Sequence, residues 1–294
     1  MKRIIATTAA IVMLAVTAAP AAEWQRLLDP AGLASADDVT ILDIRSPREY
    51  ATAHIPGALN APYPAWRGPA ENPGEALSDE RLTRVMQAMG LTPDSRVVVT
   101  HAGLDETDFG AAARVYWTLK SAGLDRIAIL NGGVRGWVAA DRDLSVEPAR
   151  AEPSKATFTL SNDWMVSRDG VGAILSGDRQ ATLLDARPDA FRTGEKKHPA
   201  AKKAGTLPGS EQVRYDNWFT GSGAEIAIAD RVKALADEAR PGTGEETVSF
   251  CNTGHWAAIN WFALSEMAGR ENVKLYPESM VGWANSGGAV DTVE

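Results

Sequence analysis

Apolar positions in this chain recur with two spacings, and the switches between them divide it into short strands and longer helices. Arg96-Val97-Val98-Val99-Thr100 and Glu246-Thr247-Val248-Ser249-Phe250 are brief runs of the length and composition of buried strands. Asp79 to Met89, Ala111 to Ala122 and Trp256 to Met267 instead carry apolar residues at helical spacing. This alternation predicts an α/β fold of βα units, a mostly parallel sheet flanked by helices on both faces. Sites in such sheets lie at the carboxyl ends of the strands.

The pattern also repeats. Thr40-Ile41-Leu42-Asp43-Ile44-Arg45 returns as Thr182-Leu183-Leu184-Asp185-Ala186-Arg187, and His54-Ile55-Pro56-Gly57-Ala58 as Thr206-Leu207-Pro208-Gly209-Ser210. The Arg96 to Thr100 strand is matched by Thr247 to Phe250, and Asn131-Gly132-Gly133-Val134-Arg135-Gly136-Trp137 by Pro277-Glu278-Ser279-Met280-Val281-Gly282-Trp283. Four blocks in one order at a nearly constant offset mean a duplicated domain. The expected units are 22–145 and 162–294, joined by a linker at 146–161 that holds Pro148 and Pro153 among charged residues.

Residues 1–21 have the pattern of a secretory signal peptide: Lys2 and Arg3, an apolar run from Ile4 to Val16, then small residues up to a cleavage point after Ala21. The run is shorter than the ~20 residues of a membrane span. The expectation is an exported, periplasmic protein with no membrane attachment after cleavage. A formal charge of −8 gives no basic face for nucleic acid or anionic lipid.

Export sharpens the meaning of the single cysteine, Cys251. It cannot form an internal disulfide, and a lone thiol in an oxidising compartment is either a buried structural residue or a chemical one. Its setting favours chemistry. Cys251 falls between a strand and a helix, where free N–H groups and the positive end of the helix dipole stabilise a thiolate.

The duplicated blocks, with one cysteine after the second central strand and His101 at the same place in the first copy, resemble the tandem-domain rhodanese family of sulfurtransferases. The resemblance spans about Trp24 to Trp283 and implies two rhodanese-like domains, the first inactive and the second catalytic. It implies that Cys251 attacks the outer sulfur of a small anionic donor and holds it as a persulfide until a thiophilic acceptor, such as cyanide or a thiol, removes it. No metal or organic cofactor is required. Asn252, Thr253, Gly254, His255, Trp256 and Ala257 would wrap the sulfur, with Gly254 allowing a conformation that a larger residue resists. Arg187 would hold the donor's oxyanion or pair structurally with Asp185 or another carboxylate, and the recurrence of the pattern at Arg45 in the first copy points to the structural role. His255 would present a proton or charge, or merely start the helix. Lys196-Lys197-His198 and Lys202-Lys203 would draw anions in or be simply solvated.

A related loop chemistry, that of cysteine phosphatases, places an arginine at the position of Ala257, so phosphatase activity is disfavoured. Thiosulfate is the expected donor. Mercaptopyruvate sulfurtransferase is the alternative, weakened because Ala58 to Leu77 contains neither Asp nor His. A non-catalytic sulfur carrier or redox sensor, loaded by a protein partner, is the other alternative.

Overall fold

The computed structural model describes residues 24–221, 223–239 and 246–293; the expected signal peptide lies outside them. Two parallel sheets form the frame. The first contains β1 (Leu27–Leu28), β2 (Thr40–Asp43), β3 (Leu59–Asn60), β4 (Val97–Thr100) and β5 (Ile127–Leu130), in the order β1-β5-β4-β2-β3. The second contains β6 (Thr182–Asp185), β7 (Glu211–Gln212), β8 (Thr247–Phe250) and β9 (Val273–Leu275), in the order β7-β6-β8-β9. Every pairing is parallel, and the copies share register: Asp43 lies opposite Thr100 as Asp185 lies opposite Phe250. Met165 makes a single parallel bridge to Leu275, the counterpart of β1 on β5.

Central strands buried on both faces need apolar side chains throughout. Val97, Val98 and Val99 are fully buried in β4, as are Val248 and Phe250 in β8, with Ser249 the polar exception between them. The helix expected from Ala111 begins earlier, at Glu106, because Asp105 caps it by accepting the N–H of Asp108 at 2.8 Å. The helix beginning at Trp256 is regular only to Trp261 and continues as a π-helix over Phe262–Met267. The wider turn keeps Phe262, Ala263 and Leu264 all buried.

Helices Glu106–Ser121 and Trp256–Trp261 pack on each other between the sheets, and one apolar core runs through both domains. Phe109 and Tyr116 meet Phe262 edge-on, with ring centroids 5.9 and 5.0 Å apart. The 146–161 segment is held against helix Asp79–Ala88: Thr83 exchanges two hydrogen bonds with the Phe158 backbone, and Gln87 donates to the Ala156 carbonyl.

Candidate active site

Cys251 follows the last residue of β8, at the carboxyl edge of the second sheet. It is 1% exposed, yet it lines a pocket of about 260 Å³ together with Asn252, Thr253, His255 and Trp256. Phe191, Lys197, His198 and Pro199 also line it, together with Thr107 of the first domain.

One hydroxyl sets the turn of the loop. Ser279 Oγ accepts the N–H groups of Cys251 and Gly254, each at 3.0 Å, and donates to the Tyr276 carbonyl at 2.9 Å, which uses its full hydrogen-bonding capacity. Ser279 adopts φ +51°, unusual for a residue with a side chain, and heads helix Ser279–Asn285. The N–H groups of Met280 and Val281 meet the Cys251 and Asn252 carbonyls, as those of Val134 and Arg135 meet His101 and Ala102 in the first domain. His101 is thus the structural counterpart of Cys251. Gly254 has φ +67°, and a Cβ there would collide with Arg114 and the Pro277 carbonyl. Among the described residues the N–H groups of Asn252, Thr253 and His255 have no protein acceptor, so the loop has donors free for an anion.

Three predicted contacts lie behind the pocket instead of on it. Arg187, 2% exposed, is fully committed inside the domain: Nε and Nη2 grip Asp185 at 2.9 and 2.7 Å, Nη2 also meets the Gly205 carbonyl, and Nη1 reaches Asn252 Oδ1 at 3.3 Å. Arg45 makes the same fork to Asp43 and the Ala53 carbonyl, so the pairing recurs in both copies. Gly254 turns its N–H and carbonyl to Ser279 and Arg114, and Ala257 is fully buried in the first turn of its helix.

His255 bridges the domains. Its Nε2 lies 2.6 Å from the Thr107 carbonyl, which can only accept, so Nε2 carries the proton and Nδ1 accepts from the Tyr63 hydroxyl at 2.8 Å. Burial, with Arg67 nearby, pushes its pKa down to about 4 and keeps the ring neutral. It therefore presents neither a proton nor a charge at neutral pH. Trp256 stacks on Tyr215 with centroids 4.6 Å apart and donates to Thr107 Oγ1 at 3.1 Å.

The basic insertion divides by role. Lys202 and Lys203 donate to the carbonyls of Asn285, Gly287 and Gly288, fastening the segment to the C-terminal tail. Lys197 and His198 face the pocket. His198 Nδ1 accepts the Ala200 N–H at 3.2 Å, which puts the ring proton on Nε2. Burial, Arg67 and Lys197 lower its pKa.

The first domain's contribution was not readable from the motifs. Arg67 donates to the Thr253 carbonyl at 2.7 Å, and Arg114 donates to the Thr253 and Gly254 carbonyls at 3.4 and 3.3 Å. Ser279 was also missed. Its signal is the repeat itself, since it aligns with Gly133, whose φ is +58°.

A duplicated parallel α/β domain with a thiol at one strand end and a histidine at the other defines the class. The chain belongs to the rhodanese family: the rhodanese-like domain matches twice, at residues 29–140 and 170–286. A thiosulfate sulfurtransferase of Azotobacter vinelandii is 29% identical over 263 residues, covering 88% of this chain and 94% of the relative. Sulfur carrier protein TtuD of Thermus thermophilus is 25% identical over 247 residues, covering 80% and 84%. Among solved structures, the anaerobic ergothioneine biosynthesis enzyme from Chlorobium limicola shares the fold with a TM-score of 0.79 at 18% identity, over 92% of this chain and 70% of that one.

Proposed function

We propose that the protein is a sulfurtransferase that takes sulfane sulfur from thiosulfate through a persulfide on Cys251. The observation that carries this reading is Cys251 itself, the chain's single cysteine, lining a pocket with Lys197 and His198 on a loop whose Asn252, Thr253 and His255 N–H groups are unbonded. Membership of the rhodanese family and the named sulfurtransferase relatives support the reaction class.

The Cys251 thiolate attacks the outer sulfur of thiosulfate. The sulfur–sulfur bond of the donor breaks, and sulfite leaves with the bonding pair. Cys251 then holds the sulfur as a persulfide anion, whose charge the Asn252, Thr253 and His255 N–H groups stabilise. An acceptor such as cyanide attacks the outer sulfur and returns the thiolate.

The purified mature chain, given thiosulfate and cyanide, should release thiocyanate and gain about 32 Da, one sulfur, on Cys251; Cys251→Ser should do neither. Absence of both products in the wild type rejects the reading. A faster reaction with mercaptopyruvate than with thiosulfate would reassign the donor.

A carrier role is the second reading, favoured by the likeness to a sulfur carrier protein. It predicts slow thiocyanate formation but ready loading by a protein persulfide or polysulfide. We further propose export to the periplasm, from the pattern of residues 1–21. An N-terminus at Ala22 in the periplasmic fraction is the expected result, and an intact Met1 in the cytoplasm would refute it.

A further inference from the structure

Arg67 and Arg114 pose an electrostatic problem. They are 8% and 1% exposed, and both come from the domain that has no cysteine. Their acceptors are neutral carbonyls: Thr253 for Arg67, and Gly74, Thr253 and Gly254 for Arg114. Among the described residues neither guanidinium has a carboxylate at ion-pair distance, and Arg67 Nη1 and Arg114 Nε are buried with no acceptor. The equally buried Arg187 is neutralised by Asp185.

Ring faces offset part of the charge. Arg67 lies 5.3 Å from the Tyr63 centroid, and Arg114 lies 4.9 Å from that of Trp117. A quadrupole does not replace a counter-ion, and two adjacent buried cations also repel. Burial, reinforced by Arg67, holds the Arg114 guanidinium down at about 9, while negative charge on Cys251 and Tyr63 acts in the opposite sense. Burial keeps Tyr63 protonated, and Cys251, on the same loop as the Thr253 carbonyl that both guanidiniums hold, is the neighbouring group that can carry a negative charge as a thiolate or persulfide.

We propose that Arg67 and Arg114 are the counter-charge of the Cys251 thiolate and persulfide, supplied across the domain interface by the cysteine-free copy. The persulfide half of this statement rests on the sulfurtransferase reading; the thiolate half does not. The loop is then gripped from behind by cations at its carbonyls, and its sulfur sits in their field.

The other polar groups around the sulfur do not take this role. His255 is neutral and bonded on both nitrogens, and Asp108 on helix Glu106–Ser121 is held by His101 and the Gly103 and Leu104 N–H groups. Lys197 lines the pocket but donates to the Ala201 carbonyl, and burial, Arg67 and Lys197 lower the His198 pKa, so neither is fastened to the cysteine loop as Arg67 and Arg114 are.

The test is the second-order rate of Cys251 alkylation by iodoacetamide in the full mature chain, compared between wild type, Arg67→Gln and Arg67→Lys. Glutamine keeps a donor for the Thr253 carbonyl and removes the charge; lysine keeps the charge. At pH 7, Arg67→Gln should react about 10-fold more slowly, Arg67→Lys near the wild-type rate, and all three should converge in strong alkali, where every thiol is ionised. Equal rates in wild type and folded Arg67→Gln overturn the proposal, as does an equal loss in Arg67→Lys, which would assign the effect to geometry. Should Arg67→Gln fail to fold, Arg114→Gln carries the same expectation and the same refutation. Because alkylation needs no sulfur donor, a chain that makes no thiocyanate but shows the charge dependence rejects the function and keeps the thiolate counter-charge.

Discussion

The Tyr63 hydroxyl of the first domain donates to Nδ1 of His255 on the cysteine loop of the second, at 2.8 Å. Burial raises the Tyr63 pKa, so the phenol stays protonated as the donor, and the Thr107 carbonyl accepts the hydrogen bond from Nε2–H on the other side of the ring. One imidazole is thereby fixed in tautomer and orientation by two groups from the opposite domain.

Tyr63→Phe removes one of those two groups and leaves Nδ1 without its donor. The expected loss is about 1–3 kcal/mol of stability, the cost of an unsatisfied buried polar atom. Urea unfolding should show it, and thiocyanate formation should fall with it, since the loop loses a fixed point. An unchanged unfolding midpoint would show that the contact carries no weight.

The strands, the duplication and the thiol were legible because each is a local pattern: alternating spacing, repeated blocks, and a cysteine where the first copy has His101. What stayed hidden depends on contacts between distant segments. Arg67 and Arg114 lie outside the four repeated blocks, and only docking of the two sheets brings them to the Thr253 carbonyl. Arg187 was the reverse case. Its motif was visible, but its side chain is consumed by Asp185, which sequence left open.

Ser279 is expected to matter to the loop as much as any residue beside the sulfur. Ser279→Ala strands the N–H groups of Cys251 and Gly254, at about 1–3 kcal/mol for each buried donor. Ser279→Gly relieves the positive φ yet loses the same hydroxyl. Both variants should therefore lower kcat/KM for thiosulfate, with glycine the more stable of the two. If Ser279→Gly retains full activity, the hydroxyl does not set the loop.

His255 gives stability a pH dependence of known sign. Its pKa is about 4 in the fold against an ordinary 6.5, so the unfolded chain takes up the proton first as pH falls. The contribution of neutral His255 is complete above pH 6.5 and is lost as pH drops from 6.5 to about 4. Urea midpoints measured across this window should decline less steeply in His255→Gln than in the wild type. Parallel declines would mean that the ring takes up its proton at the same pH in the fold as in the unfolded chain.

Arg187 and Lys197 are both basic residues near Cys251, and the structure predicts opposite consequences for them. Removing Arg187 leaves Asp185 as a buried, unpaired carboxylate, a loss of about 3–5 kcal/mol, and Arg45→Met should cost comparably by stranding Asp43. Lys197 spends one of its three ammonium protons on the Ala201 carbonyl and stands on the pocket wall with donors to spare. Lys197→Met should leave the unfolding midpoint near the wild-type value and raise the KM for thiosulfate about 10-fold, the scale of one charge-assisted hydrogen bond. Thiosulfate kinetics and urea unfolding on Arg187→Met, Arg45→Met and Lys197→Met separate the two roles. A raised KM in a folded Arg187→Met, with none in Lys197→Met, would return the donor contact to Arg187 and require the Asp185 pair to open during turnover.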